Sequence, residues 1–280
     1  LEDRLRTAAL PPAPGSAVVG GVRTFVPGAH NGVRSITRVT AIGGGILSFA
    51  LALMYVLLFP SIRESFEEMD LPEYMESFAG AAGSYSTPAG YLATEFFSAV
   101  PITLIIFAIV AGTAATAGEE SAGTIDLLLA QPIRRWRIIV EKALGIAAAV
   151  SVALLAGLPG IFLGQLFVDF DIGPLRLVAA MLATLPLLFL FAALAMLLGA
   201  ALPTRAMAVA VATAGAVLAY VVHTLGMLVD ELSEVRKLTP FYWSDASKAL
   251  IGDFEVWRSL VLLAVAAGLV ALAAVAFERR

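Results

Sequence analysis

LRLVAAMLATLPLLFLFAALAMLLGAAL, residues Leu175 to Leu202, decides the fold. Its single ionisable side chain is Arg176, at the very start. An α-helix rises about 1.5 Å per residue and the hydrocarbon core of a bilayer is about 30 Å thick, so about 20 apolar residues cross it. A helix on the surface of a soluble domain keeps one polar face along its length, and this stretch has none. It reads as a membrane span, and lipid becomes the solvent that the rest of the chain has to suit.

Five further stretches pass the same test: about Ala41 to Pro60, Phe96 to Ala117, Ile138 to Val168 (its first turn interfacial), Ala206 to Val229 and Trp257 to Phe277. Pro203-Thr204-Arg205 alone separates the fourth span from the fifth, which makes them a tight hairpin. The whole composition agrees. The 280 residues are 60% hydrophobic and 14% charged, with a mean hydropathy of +0.90, whereas a soluble domain has about 45–50% apolar and about 25% charged residues. No soluble core of this size hides so much apolar surface. The expected fold class is an all-α polytopic membrane protein of six transmembrane helices.

The chain contains no cysteine, which excludes a disulfide framework, a thiolate metal site and a cysteine nucleophile. Near the N-terminus Pro11, Pro12, Pro14 and Gly15 stand where the apolar run of a signal peptide belongs. Residues 1–39 therefore read as a cytoplasmic arm with an interfacial segment, and 40–280 as the membrane domain. Leu1 rather than Met opens the sequence, as expected where the native start lies upstream.

Orientation follows from the Lys and Arg residues. With the N-terminus inside, 12 of the 18 fall in cytoplasmic segments, among them Arg34, Arg38, Arg134, Arg135, Arg137, Lys142, Arg205, Arg279 and Arg280. The other six, including Arg63, Arg176, Arg236, Lys237 and Arg258, fall outside. Both termini are expected in the cytoplasm, with the chain in the cell membrane.

Within the spans, His223 and Gln165 stand out as the polar, potentially functional groups. A charge at mid-bilayer costs about 2.5–3.5 kcal/mol on insertion scales, so ion-coupled carriers keep such groups where they work. Their scarcity argues against an ion-driven carrier. His223, near the outer end of the fifth span, reads either as an interfacial packed histidine or as a substrate contact. Pro101, Pro159 and Pro186 bend their helices, and Gly43, Gly44 and Gly45 offer a side-chain-free surface for a neighbouring helix.

The stretch between the second and third spans, Gly118 to Lys142, reads GEESAGTIDLLLAQPIRRWRIIVEK. Ile125, Leu128, Leu129 and Pro132 recur at i, i+3, i+4 and i+7, an apolar stripe on one helical face. Glu119 and Glu120 precede that stripe, where a helix's positive dipole end favours acids. Pro132 closes it, and Arg134, Arg135 and Arg137 mark the inner membrane surface. The physical reading is a brief amphipathic helix on the cytoplasmic face, tethered to two spans. Such a helix either rests on lipid headgroups or carries a push from a soluble partner into both spans.

Glu119, Gly123-Thr124, Asp126, Leu128-Leu129, Pro132 and Arg135 stand in the register E-x-x-x-G-T-[LI]-[ED]-x-L-L-x-x-P-x-x-R. This resembles the signature of type-2 (type V) ATP-binding-cassette, or ABC, exporter permeases. Lys142 matches a lysine common in that family. Ser86 to Leu92 (STPAGYL) is similar to the family's lead-in to the second span, Thr239 to Trp243 (TPFYW) to its segment before the last span, and Phe277-Glu278-Arg279-Arg280 to its terminus. The similarity covers about Thr40 to Arg280.

The resemblance implies a short coupling helix between the second and third spans that docks in a groove of a separate ATPase subunit. Glu119, Glu120, Gly123, Thr124, Asp126, Leu128, Leu129, Pro132 and Arg135 would then be contact residues of force transmission rather than of chemistry. It implies that six spans make half a pore, so that a second permease, identical or paralogous, completes it. ATP and Mg would be held by the partner ATPase. It also implies that Asp230 to Val256, with Leu232, Val235, Leu238, Phe241, Tyr242 and Trp243, forms short re-entrant helices; the plainer reading is an amphipathic segment with belt aromatics. Ile62, Phe66, Met69 and Tyr74 suggest an amphipathic helix in the loop after the first span.

No G-x-x-x-x-G-K-[ST] occurs in the chain, so it cannot cradle nucleotide phosphates in the Walker manner. No H-E-x-x-H occurs, and the two histidines, His30 and His223, lie far apart. Asp169-x-Asp171 reads as a solvated loop rather than a metal motif. The few basic residues sit at membrane borders, which disfavours nucleic-acid binding. The expected function is a permease subunit, without catalytic residues or a metal site of its own, exporting a hydrophobic or amphipathic substrate. The alternative is a non-transporting membrane scaffold or immunity-type protein.

Overall fold

The computed structural model describes residues 27–67, 87–121, 135–244 and 246–278. Over these residues the chain is helical, with six helical stretches long and apolar enough to cross a membrane: Ile36–Ser65, Pro88–Ala117, Trp136–Gly164, Pro174–Ala201, Arg205–Leu228 and Val256–Glu278. The protein is an all-α polytopic membrane protein of six spans.

The first span lies in α1, Pro27–Glu67. The sequence suggests an end at Pro60, yet the helix runs through it. Proline removes only its own N–H bond to the carbonyl four residues back, here Val56, and a long helix tolerates that with a bend. Ser61 to Glu67 therefore continue α1 and are not part of a separate interfacial helix; Met69 and Tyr74 lie outside the described residues.

The second span is built from α2, Pro88–Thr94, and α3, Phe96–Ser121. Pro88 occupies the first helical turn, where its missing N–H costs nothing. The Thr87 side chain caps it by accepting from the Gly90 N–H at 3.1 Å. The span thus begins about eight residues before the apolar run does, and Tyr91 and Leu92 are fully buried.

The third span divides at Ala156 into α4, Arg135–Leu155, and α5, Gly157–Gly164. Pro159 cannot bond back to the Leu155 carbonyl, and the helix breaks there. The span ends at Gly164, four residues before the expected Val168. Close approach to the first span fixes these last turns: a Cβ on Gly160 would lie 2.5 Å from the Phe49 carbonyl oxygen, and one on Gly164 2.6 Å from Val56 Cγ1.

The fourth, fifth and sixth spans are α6, Pro174–Ala201, α7, Arg205–Leu228, and α11, Val256–Glu278. The Thr204 side chain accepts from the Met207 N–H at 3.2 Å and starts α7 directly after the break at Pro203. Between α7 and α11 lie a 3₁₀ turn, Asp230–Leu232, and three short helices: α8, Ser233–Arg236, α9, Pro240–Trp243, and α10, Ala246–Ile251.

α6 is the hub. It packs along α3 and α11, and also touches α4, α7 and α10. Of its most apolar stretch 72% is buried, against 11% for α7 and 22% for α11. α7 therefore presents Val211, Val217, Leu218 and Val221 outward, the reverse of a soluble protein's surface and suited to lipid or another apolar surface.

Gly44 lies in the contact between the first three spans. A Cβ there would come within 2.9 Å of the Ala153 Cβ and 3.0 Å of Leu104 Cδ2, whereas Gly43 and Gly45 have room for one. Of the three glycines singled out by sequence, the middle one makes the tight approach.

Candidate functional site

Two regions bear on function, at opposite ends of the bundle. The first is the root of the loop between the second and third spans. α3 ends at Ser121 and α4 begins at Arg135. Gly123, Thr124, Asp126, Leu128, Leu129 and Pro132, and with them the expected coupling helix, lie outside the described residues. Glu119 and Glu120 fall in the last turn of α3 and Arg135 in the first turn of α4; their side chains also lie outside the description. The structure therefore brings the two ends of the loop to the root but not its central residues.

What the structure adds is how that root is held. Lys142 Nζ on α4 donates to the Ala115 carbonyl of α3 at 2.8 Å. Thr116 Oγ1 on α3 donates to the Met196 carbonyl of α6 at 3.1 Å, in a buried contact. Gly199 makes that approach possible, because a Cβ there would stand 2.2 Å from Thr116 Oγ1. The last membrane turns of α3 are thus bonded to both the third and the fourth spans. In a low-dielectric interior such bonds are not readily exchanged for water. Sequence reasoning marked Lys142 as a cytoplasmic base and by resemblance, and did not mark Thr116 or Gly199. A threonine and a glycine in apolar helices were the available signal, and it does not name a partner.

The second region is a cavity of about 610 Å³ between α2, α3, α6, α7 and the short helices that follow α7. The segment after α7 re-enters the helix bundle. Ser244 Oγ donates to the Ala183 carbonyl at 3.3 Å, nine residues along α6 and so about 14 Å from its start. Phe241 reaches as far, its ring centroid 5.7 Å from that of Phe191 and 5.5 Å from that of Tyr220. Leu238, by contrast, is 83% exposed. Trp243 turns toward Trp257, centroids 5.4 Å apart, and donates from its indole N–H to the Lys237 carbonyl at 2.8 Å.

His223 lines this cavity. It is half-buried, with Nδ1 3.3 Å from Thr239 Oγ1 and its ring 5.9 Å from that of Phe241. Gln165 is no part of it; its amide reaches the Ile172 carbonyl at 3.4 Å across the turn between the third and fourth spans. Asp169 and Asp171 in that turn are both exposed.

A family model for the C-terminal domain of the multidrug efflux system permease Rv1217c matches residues 34–278. No curated protein matches the chain. The family match takes in all six spans, the loop root and the cavity, and it agrees with a transport subunit rather than an enzyme. The chain belongs to the family of the multidrug efflux system permease Rv1217c, C-terminal domain, and is a multi-pass membrane permease.

Proposed function

We propose that the chain is the membrane subunit of an ATP-driven ABC exporter of the type-2 class, coupled through residues 119–135 to a separate ATPase that holds ATP and Mg. The register of Glu119, Gly123, Thr124, Asp126, Leu128, Leu129, Pro132 and Arg135 carries this reading. The bonded root of the loop supports it: a force applied to the loop would reach α3 and α4 together through Lys142 and Ala115, and α6 through Thr116.

On this reading both termini and the loop 122–134 are cytoplasmic, residues 1–39 form an arm on the permease domain of 40–280, and a second permease completes the pore. The thinly covered α7 offers apolar surface for that pairing. The cargo is hydrophobic or amphipathic, in keeping with an efflux family.

ATP-dependent efflux of a fluorescent amphipathic dye from vesicles holding the permease and its ATPase tests the reading. Leu128→Asp should abolish ATP-driven transport while the permease stays inserted. Transport at the wild-type rate in that variant contradicts the assignment.

A further inference from the structure

Four side chains that carry or can accept a positive charge line the re-entrant cavity: His223, Arg236, Lys248 and Arg258. No carboxylate is among the described residues of its wall. Glu255 reaches Lys248 at 3.4 Å and also pairs with Arg258. Arg236 has no described carboxylate at all. Its guanidinium carbon lies 5.6 Å from the Tyr242 ring centroid, and its Nε is buried without a hydrogen-bond partner.

A cation–π contact is worth about 0.5–2 kcal/mol. That falls short of the several kcal/mol that it costs to withdraw an ion from water, so the Arg236 charge is left without a described counter-ion. The arginine is also built in. Gly226 on α7 lets α8 approach so closely that a Cβ there would stand 2.6 Å from Arg236 Cβ. Much of the remaining wall is apolar, with Phe97, Ile102, Leu187 and Met227. A cavity of about 610 Å³ lies within the usual range of small-molecule sites, about 300–1,000 Å³.

We propose that this cavity binds an amphipathic anion. A phosphate or carboxylate head sits against Arg236, supported by Lys248 and Arg258, and an alkyl chain lies along Phe97, Leu187 and Met227. The head belongs either to a membrane phospholipid or to a free single-chain acid. This inference concerns the permease alone and does not rest on the exporter reading.

The purified full-length chain, in a neutral maltoside detergent, is dialysed to equilibrium against labelled dodecyl phosphate, lauroyl lysophosphatidylglycerol or dodecanol. At least one of the two anions should bind about tenfold more tightly than dodecanol, the size of one charge-assisted contact. Tighter binding of the lysolipid identifies a lipid site; tighter binding of dodecyl phosphate identifies a site for free acids. Arg236→Gln and Arg236→Met, the latter keeping the apolar stem, should lose the preference, and Arg236→Lys should keep most of it. No preference for either anion in the wild type overturns the proposal. So does a preference that survives in whichever neutral variant purifies as folded protein.

Discussion

Lys142 Nζ stands 2.8 Å from the carbonyl oxygen of Ala115, so a lysine on the third span closes the last membrane turn of the second. An ammonium near the C-terminal end of a helix meets the negative end of its dipole. The acceptor carbonyl belongs to a residue that is fully buried. Lys142→Met should therefore cost about 1.5–3 kcal/mol, the range for a hydrogen bond to a charged group, and lower the thermal midpoint in detergent. Lys142→Arg should recover part of the loss. A midpoint unchanged by Lys142→Met shows that the bond holds nothing together.

The contact of Thr116 with the fourth span sets a second expectation. Gly199→Ala places a methyl on Thr116 Oγ1 and should destabilise by about 1–3 kcal/mol through overpacking. Gly215→Ala is the control, because a Cβ there meets nothing within 4 Å and alanine favours a helix by about 1 kcal/mol over glycine. Size-exclusion profiles after graded heating would separate the two. Equal tolerance of both substitutions contradicts the close packing of α3 on α6.

Glu255 bridges Lys248 and Arg258 at the rim of the re-entrant cavity. Its side chain is 35% exposed, so the pair is worth less than a buried one, about 1 kcal/mol. Glu255→Gln should lower stability by that amount. Neutralising Lys248 in the same chain should restore part of it, a coupling that a double-mutant cycle measures. Strictly additive effects would mean that the bridge is not formed.

Phe241 anchors the short helices against Phe191 and Tyr220. Phe241→Ala should loosen the re-entrant segment, with a loss of about 2 kcal/mol, and make the backbone of 230–251 exchange hydrogen faster. Leu238→Ala, at an exposed position, should leave exchange unaltered.

The six spans were legible because the bilayer imposes one rule, about 20 apolar residues per crossing, and Leu175 to Leu202 satisfies it without ambiguity. The ends were less so. Hydropathy registers where lipid begins, not where backbone hydrogen bonding stops, so α1 runs past Pro60 and the second span starts at Pro88 with a threonine cap. The break at Ala156 follows from Pro159, but a proline three residues past a break looks in sequence like any kink. At the site, the register of 119–135 rests on resemblance, and its central residues lie outside the described ones. The partners of Lys142 and Thr116 were not legible, because a contact between residues 27 or 80 positions apart leaves no periodic trace. His223, Arg236, Lys248 and Arg258 come from four separate elements, and only folding gathers them.

The most direct test of the central claim, a permease driven through the loop at 119–135, is gentle purification of the tagged chain from native membranes with identification of what comes with it. A stoichiometric P-loop ATPase, lost on Leu128→Asp while the permease remains folded, is the predicted result. An ATPase-free permease, in a detergent that keeps other such complexes intact, would contradict it.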